Sequence, residues 1–195
     1  MSHKIELKEE VYDILTKHCV ETYKKNEMIP ADILLNELMS YPEIPIHYPY
    51  HHFIMPAVLL TLAAIENHTS EEDLLTMLDC AKSRSKNVLG GFCGFYGACG
   101  AAVGTGIFMS IYTDCSPMSE TVWQWTNEVT GISLQKISSV PGPRCCKRSS
   151  YFSLATAIPY INEKLNLHLS LSDKICCKFY EANPTCKQTE CPFYS

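Results

Sequence analysis

The fold depends on residues 90–112, which read GGFCGFYGACGAAVGTGIFMSIY. Seven of the nine glycines in the chain lie in residues 90–106, and glycines at this density predict positive φ angles or very close backbone approach. A loop of small residues before a helix also leaves backbone N–H groups free to bind an anion or a cluster sulfur, and the helix dipole favours Cys99 as thiolate. The alternative is tight helix–helix packing around two buried thiols. A turn over 90–100 and an apolar helix ending near Tyr112 are predicted. Residues 88–113 are uncharged and long enough to cross a bilayer. Because the glycines disfavour a continuous helix, we expect a buried segment and no membrane span.

The sequence on either side of this segment has the periodicity of helices separated by proline and glycine. The pair Ser116-Pro117 is a strong helix start signal, with serine as the cap and proline as the first residue. Residues 134–140 are ambiguous, and no alternating strand pattern persists. The predicted fold class is therefore all-α, a single compact domain of seven to nine helices. Helices are predicted over residues 6–25, 30–39, 51–66, 70–86, 100–112, 117–131 and 144–165.

Three regions of the chain have different expected roles. Residues 1–40 supply N-terminal helices that pack on the core. Residues 41–170 form the helical core and carry the motifs described below. Residues 171–195 form a short, irregular, cysteine-rich tail.

Charge and cysteine content restrict the function. The formal charge is −5, which argues against a nucleic-acid-binding face. The N-terminus has no apolar region typical of a secretory signal, so we expect a cytoplasmic protein whose thiols are reduced. Eleven cysteines in 195 residues then favour metal binding or redox chemistry over structural disulfides. The oligomeric state is left open.

Adjacent thiols occur in the sequence Pro-Gly-Pro-Arg-Cys-Cys-Lys-Arg, residues 141–148. The helix predicted here begins close to Cys145 and Cys146, and three basic side chains flank them. A helix dipole and nearby cations both stabilise thiolate. We therefore expect a lowered pKa for at least one of the two thiols, and a catalytic or ligating role. The alternative is a chance pair that is half-buried or on the surface.

The tail contains Cys176, Cys177, Cys186 and Cys191, the last followed by proline. Three or four thiolates can bind Zn²⁺ or an iron–sulfur cluster. The spacing lacks the Cys-x-x-Cys pair of most such sites, so disulfide tethering and free thiols remain alternatives.

A histidine cluster precedes the third predicted helix. His47, His51 and His52 lie within six residues, and imidazole is both a common metal ligand and a general base. The alternative is aromatic packing with the neighbouring tyrosines.

The order of these motifs resembles a cysteine-rich prokaryotic family of unknown function, DUF5714. The resemblance covers roughly residues 45–192 and rests on the His-His pair, the Gly-Gly-Phe-Cys-Gly-Phe-Tyr-Gly-Ala-Cys-Gly-Ala segment, Arg-Cys-Cys-Lys-Arg, and Asn183-x2-Cys186-x4-Cys191-Pro192. It implies a protein typical of anaerobes and methanogens, in a family sometimes fused to radical-SAM or methyltransferase domains. It implies no known activity.

Three functional hypotheses follow. The first is a cytosolic metal- or thiol-dependent redox or sulfur-handling protein, with Cys93, Cys99, Cys145 and Cys146 in one pocket. The second is a non-catalytic module that delivers metal or sulfur to a partner enzyme. The third is a helical protein with structural zinc in its tail. The cofactor is expected to be an iron–sulfur cluster or zinc.

The site residues expected under the first hypothesis fall into three groups. The expected catalytic residues are Cys99, Cys145, Cys146, His51 and His52. The expected cofactor-binding residues are Gly91, Gly94, Gly97, Gly100, Arg144 and Arg148. The expected metal ligands are Cys93, Cys99, Cys145, Cys146, Cys177, Cys186, Cys191 and His51.

Overall fold

A computed structural model describes residues 6–195, and within this range the chain forms helices and no β-strand. The all-α prediction and the expected number of helices are confirmed. The α-helices are α1 (Glu9–Lys25), α2 (Ala31–Met39), α3 (Tyr50–Glu66), α4 (Glu71–Lys86), α5 (Phe92–Phe95), α6 (Gly100–Tyr112), α7 (Thr121–Ile137) and α8 (Cys146–Leu165), and a 3₁₀ helix spans Gln188–Glu190.

Helix α3 is the centre of the core. Fifteen of its 17 residues are buried, and it packs against α1, α2, α4, α6 and α8. A helix that is apolar all round is stable in water only when other elements surround it. The remaining helices therefore take their positions around α3.

Pro56 lies inside α3, and its effect on the helix backbone creates a hydrogen bond between α3 and α4. A proline has no N–H, so the carbonyl four residues earlier, that of His52, loses its helical donor. The Ser85 hydroxyl of α4 donates to this carbonyl at 3.1 Å. The proline thus allows a side chain of α4 to bond to α3 beside the histidine pair.

Helices α3 and α6 approach closely at Gly104. A Cβ atom added to Gly104 would lie 2.8 Å from Cβ of Met55 and 3.0 Å from Cδ of Pro56, which is closer than carbon atoms normally pack. In this half of the glycine-rich segment, tight helix packing is therefore the correct interpretation.

Helix α7 differs from the sequence prediction at both ends. It begins at Thr121 and not at Pro117, and it continues past Gly131 to Ile137. The Ser116 hydroxyl accepts a hydrogen bond from the backbone N–H of Met118 at 3.2 Å, so it closes a local turn in place of capping a helix. Of the ambiguous residues 134–140, those up to Ile137 are helical, because α7 packs against both α6 and α8, and residues 138–140 form a turn.

The tail packs on the helical core through both backbone and side chains. The backbone N–H of Ala31 donates to the Ser170 carbonyl at 2.8 Å, and the Asp32 carboxylate accepts from the N–H of Ser172 at 2.8 Å. Phe193 is buried against Tyr151 of α8, with ring centroids 5.1 Å apart. The tail is therefore held against α2 and α8.

The membrane expectation can be compared with the helices of residues 6–195. None of them has both the length and the apolar character required to cross a bilayer.

The crossing of α3 and α6 can be tested with two glycine substitutions. We expect Gly104→Ala to lower the free energy of unfolding by about 1–3 kcal/mol, because the added methyl group overpacks the contact with Met55. The matched control is Gly131→Ala in α7, where an added Cβ meets nothing within 4 Å. This change should raise the free energy of unfolding by roughly 0.5–1 kcal/mol. Urea denaturation of both variants measures the difference, and equal effects at the two positions would contradict the packing argument.

Candidate functional site

The main candidate site is a cavity of about 490 Å³ between the glycine-rich loop, α3, the end of α7 and the start of α8, called here the central cavity. It brings together most of the residues singled out from the sequence. Those lining it are His51, His52, Gly91, Cys93, Gly94, Gly97, Cys99, Gly100, Arg144, Cys146 and Arg148.

Three of the glycines shape this cavity in ways that other residues could not. Gly91 and Gly97 have φ angles of +89° and +69°, which L-residues rarely adopt. At Gly100, the first residue of α6, an added Cβ would lie 2.0 Å from Cδ2 of His52. The absence of a side chain at Gly100 therefore makes room for the His52 imidazole.

The imidazoles of His51 and His52 share the same hydrogen-bonding pattern. Nδ1 of His51 donates to the Tyr48 carbonyl and Nδ1 of His52 to the Val88 carbonyl, each at 2.8 Å. Since a carbonyl can only accept, this assigns the proton to Nδ1 and leaves the lone pair on Nε2 in each neutral ring. Nε2 of His51 is buried and has no hydrogen-bond partner within residues 6–195.

Burial keeps both imidazoles uncharged at neutral pH. It lowers the pKa of His51 well below its usual value, and the nearby Lys147 ammonium lowers it further. Burial also lowers the pKa of His52. Two neutral rings with Nε2 free to accept are suited to bind a cation or a proton donor.

The expectation of a lowered thiol pKa is wrong for both adjacent cysteines. Burial, and to a lesser extent the neighbouring Cys99 thiol, raise the pKa of Cys146 to about 12. Burial also raises the pKa of Cys145, although backbone N–H groups of α8 oppose this effect. Cys99, which caps α6, has a raised pKa for the same reason. Desolvation thus outweighs the helix dipole and the cations.

Arg144 and Arg148 have different surroundings although both line the central cavity. Arg144 is exposed and available to a ligand. The guanidinium of Arg148 is buried, and its Nη2 donates to the Pro143 carbonyl at 3.0 Å. Arg148 therefore holds the Pro-Gly-Pro turn that forms one wall.

A second, much smaller cavity of about 20 Å³ lies between the start of α8 and the tail, called here the tail cavity. Its cysteines are Cys145, Cys177, Cys186 and Cys191. The predicted gathering of four thiols in one pocket is therefore wrong for Cys145, which faces this second cavity although the adjacent Cys146 faces the first. The two cysteines diverge because Cys145 has extended backbone and Cys146 begins the helix.

Two residues of the tail cavity were not among the predicted site residues. Lys147 is completely buried, and its Nζ donates to the Met39 carbonyl at 2.8 Å. Asn183 is also buried, and its Nδ2 donates to Sγ of Cys145 at 3.6 Å. Asn183 stands three residues before Cys186 in the tail motif, which was the available signal. Lys147 was noted only as one of the three cations beside the adjacent cysteines, and nothing in the sequence indicated its burial, since most lysines are exposed.

The side chains in each cavity that could bind a metal line the same space, but they are not arranged around a single position. Among residues 6–195, no group of three or more His, Cys, Asp or Glu side chains has the mutual spacing of metal ligands. Binding a metal in either cavity would include rotation of thiol side chains.

The fold and the cavities define an all-helical protein with two separate cysteine-lined cavities that share the start of α8. The chain belongs to the family of unknown function DUF5714, whose model matches residues 15–194. No curated protein matches the chain, and no solved structure matches it. The resemblance seen in the sequence is thereby confirmed at the level of the family.

The raised thiol pKa of Cys146 can be tested by alkylation of the metal-free protein. In a Cys145→Ser background, we expect iodoacetamide to modify Cys146 roughly a thousandfold more slowly at about pH 8 than in the urea-unfolded chain. The thiolate is the nucleophile, and the pKa rises from 9.0 to about 12 on folding. Peptide mass spectrometry measures both rates.

The alkylation rate of Cys146 should also depend on pH. The rate in the folded protein should rise about tenfold per pH unit above pH 8, since the thiolate fraction does so below the pKa. Modification of folded Cys146 within tenfold of the unfolded rate would show that its thiolate is stabilised, as the sequence alone had suggested.

Proposed function

We propose that the central cavity holds a metal centre, either zinc or an iron–sulfur cluster, and that the chain is a metal-dependent redox or sulfur-handling protein. The observation that carries this proposal is the buried, unpartnered Nε2 of His51, a residue that lines the central cavity together with three cysteines. A buried acceptor without a partner costs about 1–3 kcal/mol. A bound cation would remove this cost.

Each histidine of the pair donates its Nδ1–H to a backbone carbonyl, as metal-binding histidines do. Histidines that bind metals through one ring nitrogen almost always donate the other N–H to a carbonyl or carboxylate. Both His51 and His52 do so toward backbone carbonyls. Their Nε2 atoms are therefore the nitrogen donors of the proposed centre.

The sulfur donors of the proposed centre are Cys93, Cys99 and Cys146. Cys93 and Cys99 lie in or next to the glycine-rich loop and are only partly buried, which suits the rotation that binding requires. A set of thiolates and imidazoles is typical of zinc, and thiolates with occasional histidine are typical of iron–sulfur clusters.

The volume of the cavity favours an open centre over a closed one. About 490 Å³ is many times the roughly 30 Å³ that a water molecule takes in the liquid. Catalytic metal sites keep one coordination position for substrate, whereas structural sites do not. The exposed Arg144 and the backbone N–H groups at the start of α6 favour a small anionic ligand in the remaining space.

A second candidate function is an accessory module that presents the centre to a partner enzyme. It is supported by two aromatic residues of the glycine-rich loop, Phe95 and Tyr96, which are 78% and 73% exposed. Phe95 also lines the central cavity. An accessory module should release its metal rapidly to a competing chelator, whereas an enzyme should retain it.

Metal analysis of protein purified without oxygen tests the proposal. We expect zinc, or iron together with acid-labile sulfide, in the wild-type chain, and a broad absorption band near ~400 nm if a cluster is present. An asparagine at position 51 can keep the hydrogen bond that His51 Nδ1 makes, but it has no atom in the place of Nε2. His51→Asn combined with Cys146→Ser should therefore abolish metal binding in the central cavity.

The matched control is Cys115→Ser, because Cys115 follows α6 and does not line either cavity. This variant should keep the full metal content. Equal metal contents in the wild type, the control and the double variant would overturn the proposal. Iron with sulfide would indicate redox or sulfur chemistry, whereas zinc alone would indicate Lewis-acid chemistry.

A further inference from the structure

The tail cavity contains a second group of thiols that the proposed function does not use. Cys145 comes from the start of α8, Cys177 from the beginning of the tail, and Cys186 and Cys191 from either side of the 3₁₀ helix. All four line one small cavity, although up to 46 positions separate them in sequence. Cys176, which is adjacent to Cys177, does not line it.

We propose that this cavity binds a single structural Zn²⁺ through the thiolates of Cys145, Cys177, Cys186 and Cys191. The proposal concerns a site distinct from the central cavity and does not depend on what the central cavity binds. Cys177, Cys186 and Cys191 were expected ligands from the tail sequence, and the fourth ligand is Cys145, which the sequence had assigned to the central group of thiols.

The size of the cavity limits its occupant to one ion or one water molecule. Its volume is about 20 Å³, and a cavity needs roughly 10–15 Å³ to hold a single water molecule. An iron–sulfur cluster does not fit in this space. A single tetrahedral ion with four protein ligands does, and four thiolates are a typical structural zinc site.

Hydrogen bonds to sulfur already surround three of the four thiols. Backbone N–H groups two residues ahead donate to Sγ of Cys177 and Cys186, at 3.4 and 3.3 Å. Sγ of Cys145 accepts from the backbone N–H of Arg148 at 3.4 Å and from Asn183 at 3.6 Å. N–H donors to sulfur stabilise thiolate over thiol, and hydrogen bonds of this kind orient the side chains that bind a metal.

A buried cation provides the compensating charge. Lys147 lines the tail cavity, and its Nζ lies 4.4 Å from the centroid of the Phe179 ring. Its one hydrogen bond within residues 6–195 is to the Met39 carbonyl. A fully buried ammonium group is costly unless an opposite charge lies nearby. When Zn²⁺ binds, each of the four thiols loses its proton, and the resulting tetrathiolate complex is an anion that pairs with Lys147.

Zinc analysis in a background without the central centre tests this site. In the His51→Asn, Cys146→Ser double variant, purified without oxygen from zinc-supplied cells, we expect about one zinc per chain. Adding Cys177→Ser should remove it. Adding Cys176→Ser, which changes the adjacent cysteine outside the cavity, should leave it in place.

Cobalt substitution of the His51→Asn, Cys146→Ser double variant gives a second measurement at the tail cavity alone. Replacement of the zinc by Co²⁺ should produce the visible bands of tetrahedral cobalt together with near-ultraviolet sulfur-to-cobalt charge transfer. In the Cys177→Ser variant, the charge-transfer absorption assigned to the tail cavity should be lost.

The proposal is overturned by retention of zinc in the Cys177→Ser variant, by stoichiometric iron in place of zinc, or by a disulfide among these four cysteines in the anaerobic protein. If instead the central cavity binds no metal, the result is different: the wild type and the His51→Asn, Cys146→Ser variant would then bind the same amount of zinc.

Discussion

The close approach of α3 and α6 is the constraint on which the rest of the structure depends. Gly104 lets α6 contact Met55 and Pro56, and Gly100 lets its first turn lie against the His52 ring. This crossing places the glycine-rich loop over the histidine pair and so creates one wall of the central cavity. A larger side chain at either glycine would separate the helix that carries the imidazoles from the loop that carries Cys93 and Cys99.

The buried thiols are protonated at neutral pH because burial raises their pKa by more than the helix dipole and the nearby cations lower it. A helix dipole contributes at most about 2 kcal/mol to stabilising a charge near its end. The pKa of Cys146 rises from 9.0 to about 12, which corresponds to roughly 4 kcal/mol in favour of the neutral thiol. A free thiolate nucleophile is therefore a poor description of Cys146 at neutral pH. A bound cation is the change that would deprotonate it.

Local patterns in the sequence predicted most of the fold and about half of the site's organisation. Helix α4 begins as predicted because Ser70 caps it by accepting from the N–H of Asp73. The start of α7 was mispredicted because Ser116 satisfies a local turn. Cys93 and Cys99 were correctly placed in one pocket because both lie near the glycine-rich loop. Cys145 was placed in the same pocket because it is adjacent to Cys146, and this was wrong. Which cavity a thiol faces depends on tertiary packing, and so does the burial that raises its pKa.

The position of Cys145 and Cys146 at the start of α8 also restricts how this sequence can change over time. Cys145 has extended backbone and Cys146 is the first residue of α8. An insertion or deletion between these positions would therefore displace one of the two thiols from its cavity. Substitutions elsewhere can be accepted one at a time, but a length change here would damage one of the cavities in a single event. We therefore expect the chain length at this junction to be invariant, even where the identity of the flanking residues is not.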